Sequence, residues 1–402
     1  FLLPKLFLVK SHKLIISDGG VVRVGGVPHL LKKPLDSDLS YTSQKPARIP
    51  HEVIIDGGVL TVGGLSGLGK LTWETGTLEI TGAAGLTVGS PGWSNLASLE
   101  EGQWASPDSS SLFGYPWTTN LTVSADQILK VSNTTTITTG AKVTVLGEFT
   151  SDLLQIESGG QFHIPSGFIS HNEIRLNGDD ARLTGGVLAN HSLLRGTGRI
   201  EATLDNHADG KVRVNHSQQM HFTGSSENNN AGLIHLVGTA SNPAVIEFDG
   251  ALTNAGSTGR ITARHAIVHF NEGVDNQGAI ALSFGTSDIF GEVDNNGTVV
   301  VTGSGNATFY GDMANHGTLQ VSEGSTAVFF GSLSGNSIAG LGTTFIEGDL
   351  SPGFSPGTMS FDGDVVLGVA STTNVELGET SDQLLVDGNA SIDGELNVEL
   401  LG

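Results

Sequence analysis

Between residues 210 and 331 one pattern recurs about every twenty residues. Its clearest copies are Asn276-Gln-Gly-Ala-Ile-Ala-Leu, Asn295-Asn-Gly-Thr-Val-Val-Val and Asn315-His-Gly-Thr-Leu-Gln-Val. Each is followed by a run that closes on an aromatic and a glycine: Ile289-Phe290-Gly291, Phe309-Tyr310-Gly311 and Phe329-Phe330-Gly331. A unit of turn, strand, turn and strand is too small to bury its own apolar face. Stacked on its neighbours it becomes one coil of a β-solenoid.

Aligning the first glycine of each copy (Gly210, Gly232, Gly259, Gly278, Gly297 and Gly317) places an apolar residue two and four positions later every time. Val212 with Val214 and Ile280 with Leu282 are examples. Such alternation turns one strand face inward in every coil. The glycine fits a turn with φ > 0, and the Asn two places before it tolerates the same geometry. Stacked at a coil corner, those Asn amides can hydrogen-bond from coil to coil. On the second strand, Phe222, Phe248, Phe270, Phe290, Tyr310 and Phe330 fall at matching places and are expected as an interior aromatic ladder. The residues just before them would then face outward, ending in Ile289, Phe309 and Phe329 as an apolar contact stripe for a neighbouring subunit or a returning segment. The competing reading is a shift in register that puts Phe309 and Phe329 inside.

Upstream the same grammar loosens into short alternating strands such as Gly76-Thr-Leu-Glu-Ile and Lys142-Val-Thr-Val. The pattern predicts about seventeen coils from residue 50 onward, a rod roughly 80 Å long at the usual strand spacing. The expected layout is an N-terminal extended cap over 1–50, a solenoid over 51–349 and C-terminal coils over 350–402. The proline-bearing stretch 28–50 reads as the extended cap. A long insertion at 90–118 carries Trp93, Trp104, Tyr115 and Trp117, rings suited either to a sugar or protein ligand or to local packing on the solenoid flank.

With 41 acidic against 19 basic residues, net −22, the surface repels nucleic acid and anionic membrane. The absence of Cys removes disulfides, thiolate metal sites and cysteine nucleophiles. The apolar opening Phe1-Leu-Leu-Pro-Lys-Leu-Phe-Leu-Val is too short to span a bilayer and reads as a signal remnant or an end-covering strand. Sparse charge and abundant Gly, Asn, Ser and Thr suit an exported surface protein.

Parallel β-helices also host polysaccharide lyases and hydrolases. The candidates for such chemistry are the row His221, Glu247 and His269, with His235 and His265 near it and Arg260 and Arg264 to neutralise a uronate carboxylate. No pair of carboxylates stands at a spacing that selects it for hydrolysis. No catalytic residue and no cofactor is therefore assigned. Acidic turns such as Asp294-Asn295-Asn296 offer oxygen ligands of the kind calcium takes, although turn geometry alone accounts for them.

The tail brings a family into view. Gly348-Asp-Leu-Ser-Pro-Gly-Phe-Ser-Pro-Gly-Thr-Met and Ser381-Asp-Gln-Leu-Leu-Val-Asp-Gly-Asn resemble the passenger repeats of bacterial autotransporters. They look still more like the β-solenoid region of exported PEP-CTERM proteins. The likeness is good over 290–402 and extends through the Asn-x-Gly coils to about residue 206. It implies a right-handed parallel β-helix with a structural role at the cell surface, as adhesin, envelope layer or fibre component. It carries no catalytic residues with it. The implied partners are further copies of the chain, through the solenoid ends or the outer stripe, or a surface polysaccharide. The sequence stops at Glu399-Leu-Leu-Gly without the sorting signal or translocator of those families; either that part has been removed or the solenoid ends in an open face, an unpaired edge that invites another copy.

Overall fold

A computed structural model of the chain describes residues 7–9, 13–17, 21–24, 52–62, 70–89, 120–354 and 356–401. Among them there is no helix: parallel strands stack into a β-solenoid of about 15 turns, with coils of roughly 20 residues. The expected coil fold is therefore present, with fewer turns than the even spacing predicted. Residues 28–50 and the aromatic insertion 90–118 lie outside the described residues. The chain divides into two units, Phe1–Ser166 with Asn172–Gly186, and Gly167–His171 with Val187–Gly402.

In the first unit the N-terminal segment supplies strands to the stack. Lys13–Ser17 pairs in parallel with Glu52–Asp56, and Val21–Val24 with Val59–Val62. Phe7–Val9 folds back antiparallel on Lys13–Ser17. Further along, long strands carry each coil: Gln127–Ile137, Glu148–Glu157 and Glu173–Gly185. Their inward residues are mostly apolar, with Leu129 over Phe149 and Val143 over Phe162. The pairing of Gln127–Ile137 with Glu148–Glu157 shifts register between Val131 and Thr134. At that bulge the buried Ser151 hydroxyl accepts the Thr135 N–H at 3.0 Å and donates to the Asn133 carbonyl at 2.8 Å.

Coils of the second unit have three walls. A 12-stranded parallel sheet from Phe168–Ser170 to Glu395–Leu400 forms the first wall. One full coil reads Leu252–Asn254 on that wall, Arg260–Arg264 on the second and Ala266–Phe270 on the third. Where the second wall turns into the third, four residues other than glycine adopt positive φ: Ser217, His265, Phe284 and Ser304. Gly285 takes part in the same corner, where a side chain would collide with the His265 ring one coil above.

The Asn ladder forms as expected, and it is the most regular feature of the unit. Asn190, Asn206, Asn230, Asn254, Asn276, Asn295 and Asn315 are wholly buried on the first wall. Each of the first six amides donates to the side-chain oxygen of the next at 2.6–2.7 Å. The ladder stops where Gly335 takes the place opposite Asn315.

The glycines that follow the ladder serve a different purpose from the one expected. Gly210, Gly232, Gly259, Gly278, Gly297 and Gly317 are not among the positive-φ residues. They are small because the coils touch there. A Cβ on Gly278 would strike the carbonyl oxygen of Gly259, one on Gly297 that of Gly278, and one on Gly317 that of Gly297. At the last described coil the inward-facing Leu396 and Val398 are exposed, with no further rung over them among the described residues.

Candidate functional site

The third wall of the second unit carries the most distinctive outer surface among the described residues. Its strands alternate buried and partly exposed positions, so every second side chain faces solvent. Pairing aligns His221 with Glu247, Glu247 with His269, and His269 with Phe290. The backbone bonds of Tyr310 to Ile289 and of Phe330 to Phe309 continue that outward row. The row therefore starts polar and ends aromatic.

Its rings are nearly parallel. His269 stacks on Phe290 at 4.5 Å, Phe290 on Tyr310 at 4.4 Å and Tyr310 on Phe330 at 5.4 Å, with tilts of 12°, 2° and 9°. Tyr310 and Phe330 are 44% and 52% exposed, far above an interior ring. Beside them runs a second outward row, in which Thr308, Val328, Phe345 and Val366 align.

This arrangement removes the expected stripe and bears out the competing register, with Phe309 and Phe329 inside. Ile289, Phe309 and Phe329 point inward, with exposures of 2%, 2% and 0%, and Phe309 stacks on Phe329 at 4.9 Å inside the coil. Phe222, Phe248 and Phe270 do form the interior ladder as expected. After them the inward aromatic position moves back by two residues, to the level of Val268, so the expected alignment is off by one. Val268, not Phe270, pairs with Ile289, and a Cβ on Gly291 would meet the Phe270 carbonyl. A slip of one residue turns every side chain to the opposite face. The signal was present in the sequence: glycine follows Phe290, Tyr310 and Phe330 immediately, but follows Phe222, Phe248 and Phe270 only after two or three residues.

At the polar end the catalytic candidates are brought together only in part. His221 Nε2 lies 3.0 Å from Asp249 Oδ1 and 3.7 Å from Glu247 Oε2. The Asn271 amide donates to Glu247 Oε1 at 3.0 Å and to Asp249 Oδ1 at 2.9 Å. Partial burial acts to raise the Asp249 carboxyl, but the adjacent His221 imidazole and the hydrogen bond from Asn271 outweigh it and hold the group below the ordinary carboxylate value. Asp249 and Asn271 went unnoticed in the sequence because they lie just beyond the strand ends.

His235 sits on the second wall, opposite Arg213 in one neighbouring coil and Thr262 in the other. Its Nδ1 is 2.6 Å from Thr262 Oγ1. Burial, then the charges of Lys211 and Arg213, push its pKa down. His265 is held in the corner over Gly285, and the Arg264 guanidinium stands 5.5 Å above the Phe284 ring. Arg260 and Arg264 belong to the second wall, whereas His221 and Glu247 belong to the third.

The turn offered for calcium is occupied by other bonds. Asn295 is committed to the buried ladder, and Asn296 donates to Asp294 at 3.1 Å. Trp93, Trp104, Tyr115 and Trp117 lie outside the described residues. No described helix is long and apolar enough to cross a membrane. The chain is thus a β-solenoid repeat protein with a two-part outer face on its third wall. No family model, curated protein or solved structure matches it.

Proposed function

We propose that this chain is a non-enzymatic structural solenoid of the cell surface or envelope, and that it associates with a second copy of itself through the outer aromatic row. The supporting observation is the stack of Phe290, Tyr310 and Phe330 with its apolar neighbours Val328, Phe345 and Val366. Parallel stacked rings cover each other's π faces and present their edges outward. A sugar-binding platform needs open faces, so the row favours a protein contact. Its ridges repeat at the coil spacing, and another copy of the same solenoid has that period as well. A two-fold pairing brings like rows together in register along their whole length. Export rests on the resemblance to autotransporter passenger and PEP-CTERM solenoids and on the cysteine-free, low-charge composition.

The lyase reading has less support, because Arg260 and Arg264 lie on a different wall from the His221–Glu247 row, which leaves it Arg199, opposite His221, in their place. Sedimentation velocity over a concentration series provides the test. The expected result is a reversible dimer that the double substitution Tyr310→Asp with Phe330→Asp abolishes while the β-rich circular dichroism remains. A chain that stays monomeric at the highest concentrations reached, or a dimer indifferent to the substitutions, would overturn self-association through this row. Turnover of a uronic-acid polysaccharide would overturn the non-enzymatic assignment.

A further inference from the structure

The polar end of the same wall holds a feature that a contact surface does not need. We propose that His221, Glu247 and Asp249 bind one divalent first-row transition-metal ion of the zinc type, clamping two successive coils together.

The ligands converge because of the repeat itself. Glu247 and Asp249 flank the inward Phe248 and so share the outer side, while His221 pairs directly opposite Glu247 in the coil above. Their ligand atoms all lie within 4.8 Å of one another. The separations of 3.0 and 3.7 Å from His221 Nε2 are close to the spacing, about 3.0 to 3.5 Å, of neighbouring ligands on an ion with bonds of about 2.0 to 2.2 Å.

One ligand atom and one neighbouring atom lack aligned partners. His221 Nε2 is buried and, despite its closeness to Asp249, makes no aligned hydrogen bond. Thr223 Oγ1 is also buried without a partner, on the outward position of the coil edge that borders Asp249. Orphaned polar atoms are uncommon in folded proteins, and an ion or its water beside the two carboxylates would satisfy both of these. The Asn271 amide, bonded to both carboxylates, fixes their orientation in the manner of an outer-shell partner.

One imidazole with two carboxylates suits zinc, manganese, cobalt or nickel better than calcium, which takes oxygen ligands alone. Two neighbours on the same row are engaged elsewhere or open to solvent. His269, one coil below Glu247, stacks on Phe290, and Arg199, one coil above His221, is exposed. An ion held here ties the coil containing His221 to the coil containing Glu247 and Asp249. Because it binds the folded chain selectively, it raises thermal stability.

Equilibrium dialysis of the chelator-treated full chain against Zn²⁺ at about pH 7.5 tests the site. The expected result is one ion bound per chain at micromolar levels, not displaced by excess Ca²⁺, with an upward shift in the melting temperature. His221→Gln and Asp249→Asn should each weaken uptake tenfold or more. His191→Gln, in the separate stack of His171, His191 and His207, should leave uptake unchanged. If a substitution disturbs folding, protection of His221 from diethyl pyrocarbonate by Zn²⁺ in the unsubstituted chain gives an independent reading. Absence of saturable uptake, uptake untouched by both site substitutions, loss through His191→Gln, or no protection of His221 would each overturn the proposal. A His221–Asp249 ion pair completed by a proton alone would then account for the geometry.

Discussion

The two units of the solenoid stack coils by different means. In the first, strands as long as Glu173–Gly185 are joined mainly by apolar alternation, and polar interior groups are individual solutions, such as Ser151 filling one bulge. In the second, each coil along the ladder supplies the same Asn to a continuous chain of amides, and most supply the same glycine at a close backbone contact. The first arrangement needs only hydrophobic residues of suitable size, so its sequence can drift. In the second, every coil is a donor to one neighbour and an acceptor for the other, which ties the identity of a residue to its place in the repeat.

The largest expected effect separates inside from outside within the second unit. Phe329→Ala empties a wholly buried site and should cost about 3 to 5 kcal/mol. Phe330→Ala, the adjacent residue on the outer row, should cost less than about 1 kcal/mol. Denaturant unfolding of the two variants measures the contrast. Equal costs would mean that the inward placement of Phe329 and the outward placement of Phe330 are wrong.

Next comes the contrast between the units themselves. Asn276→Ala removes the ladder acceptor of Asn254 and the ladder donor of Asn295, so a loss of about 2 to 4 kcal/mol is expected. Ser151→Ala strips a single bulge and should cost about 1 to 3 kcal/mol. Hydrogen exchange should show each loss confined to coils near the substitution, since contacts run between nearest neighbours. Exchange that rises evenly along both units would contradict this picture.

Gly297→Ala isolates the close contact from turn geometry. Because Gly297 does not have positive φ, a turn argument expects little harm, whereas collision with the Gly278 carbonyl should cost about 1 to 3 kcal/mol. Thermal melting of this variant decides between the two.

The same contrast explains what could be read from the sequence. The coil, the inward pairs such as Ile280 and Leu282, and the Asn ladder were legible, because each repeats a chemical identity at fixed spacing. The outer row was misread because Ile289-Phe290-Gly291 offers apolar residues at both candidate inward positions, and hydrophobicity alone does not choose between them. The glycine spacing does choose, but only once a backbone contact with Phe270 is known to need the space. The His221–Asp249 approach was hidden for another reason: Asp249 follows the last residue of its strand, where period-two reasoning stops.

The smallest expected effect concerns pH and lies on the second wall. His235 faces Arg213 in one adjacent coil, with Lys211 nearby, and burial together with those charges disfavours its protonation in the folded chain. Above the ordinary value of 6.5 the imidazole is neutral in both folded and unfolded chains and contributes no pH dependence. As pH falls through 6.5 the unfolded chain takes up the proton first, so folding stability declines until the depressed folded value is passed. His235→Gln should flatten the stability profile between about pH 7 and 5, and Arg213→Gln should flatten it partly by removing one of the two charges. Chemical denaturation at a series of pH values measures both slopes. If His235→Gln leaves the profile as steep as before, the acid sensitivity of the second unit arises elsewhere than this wall.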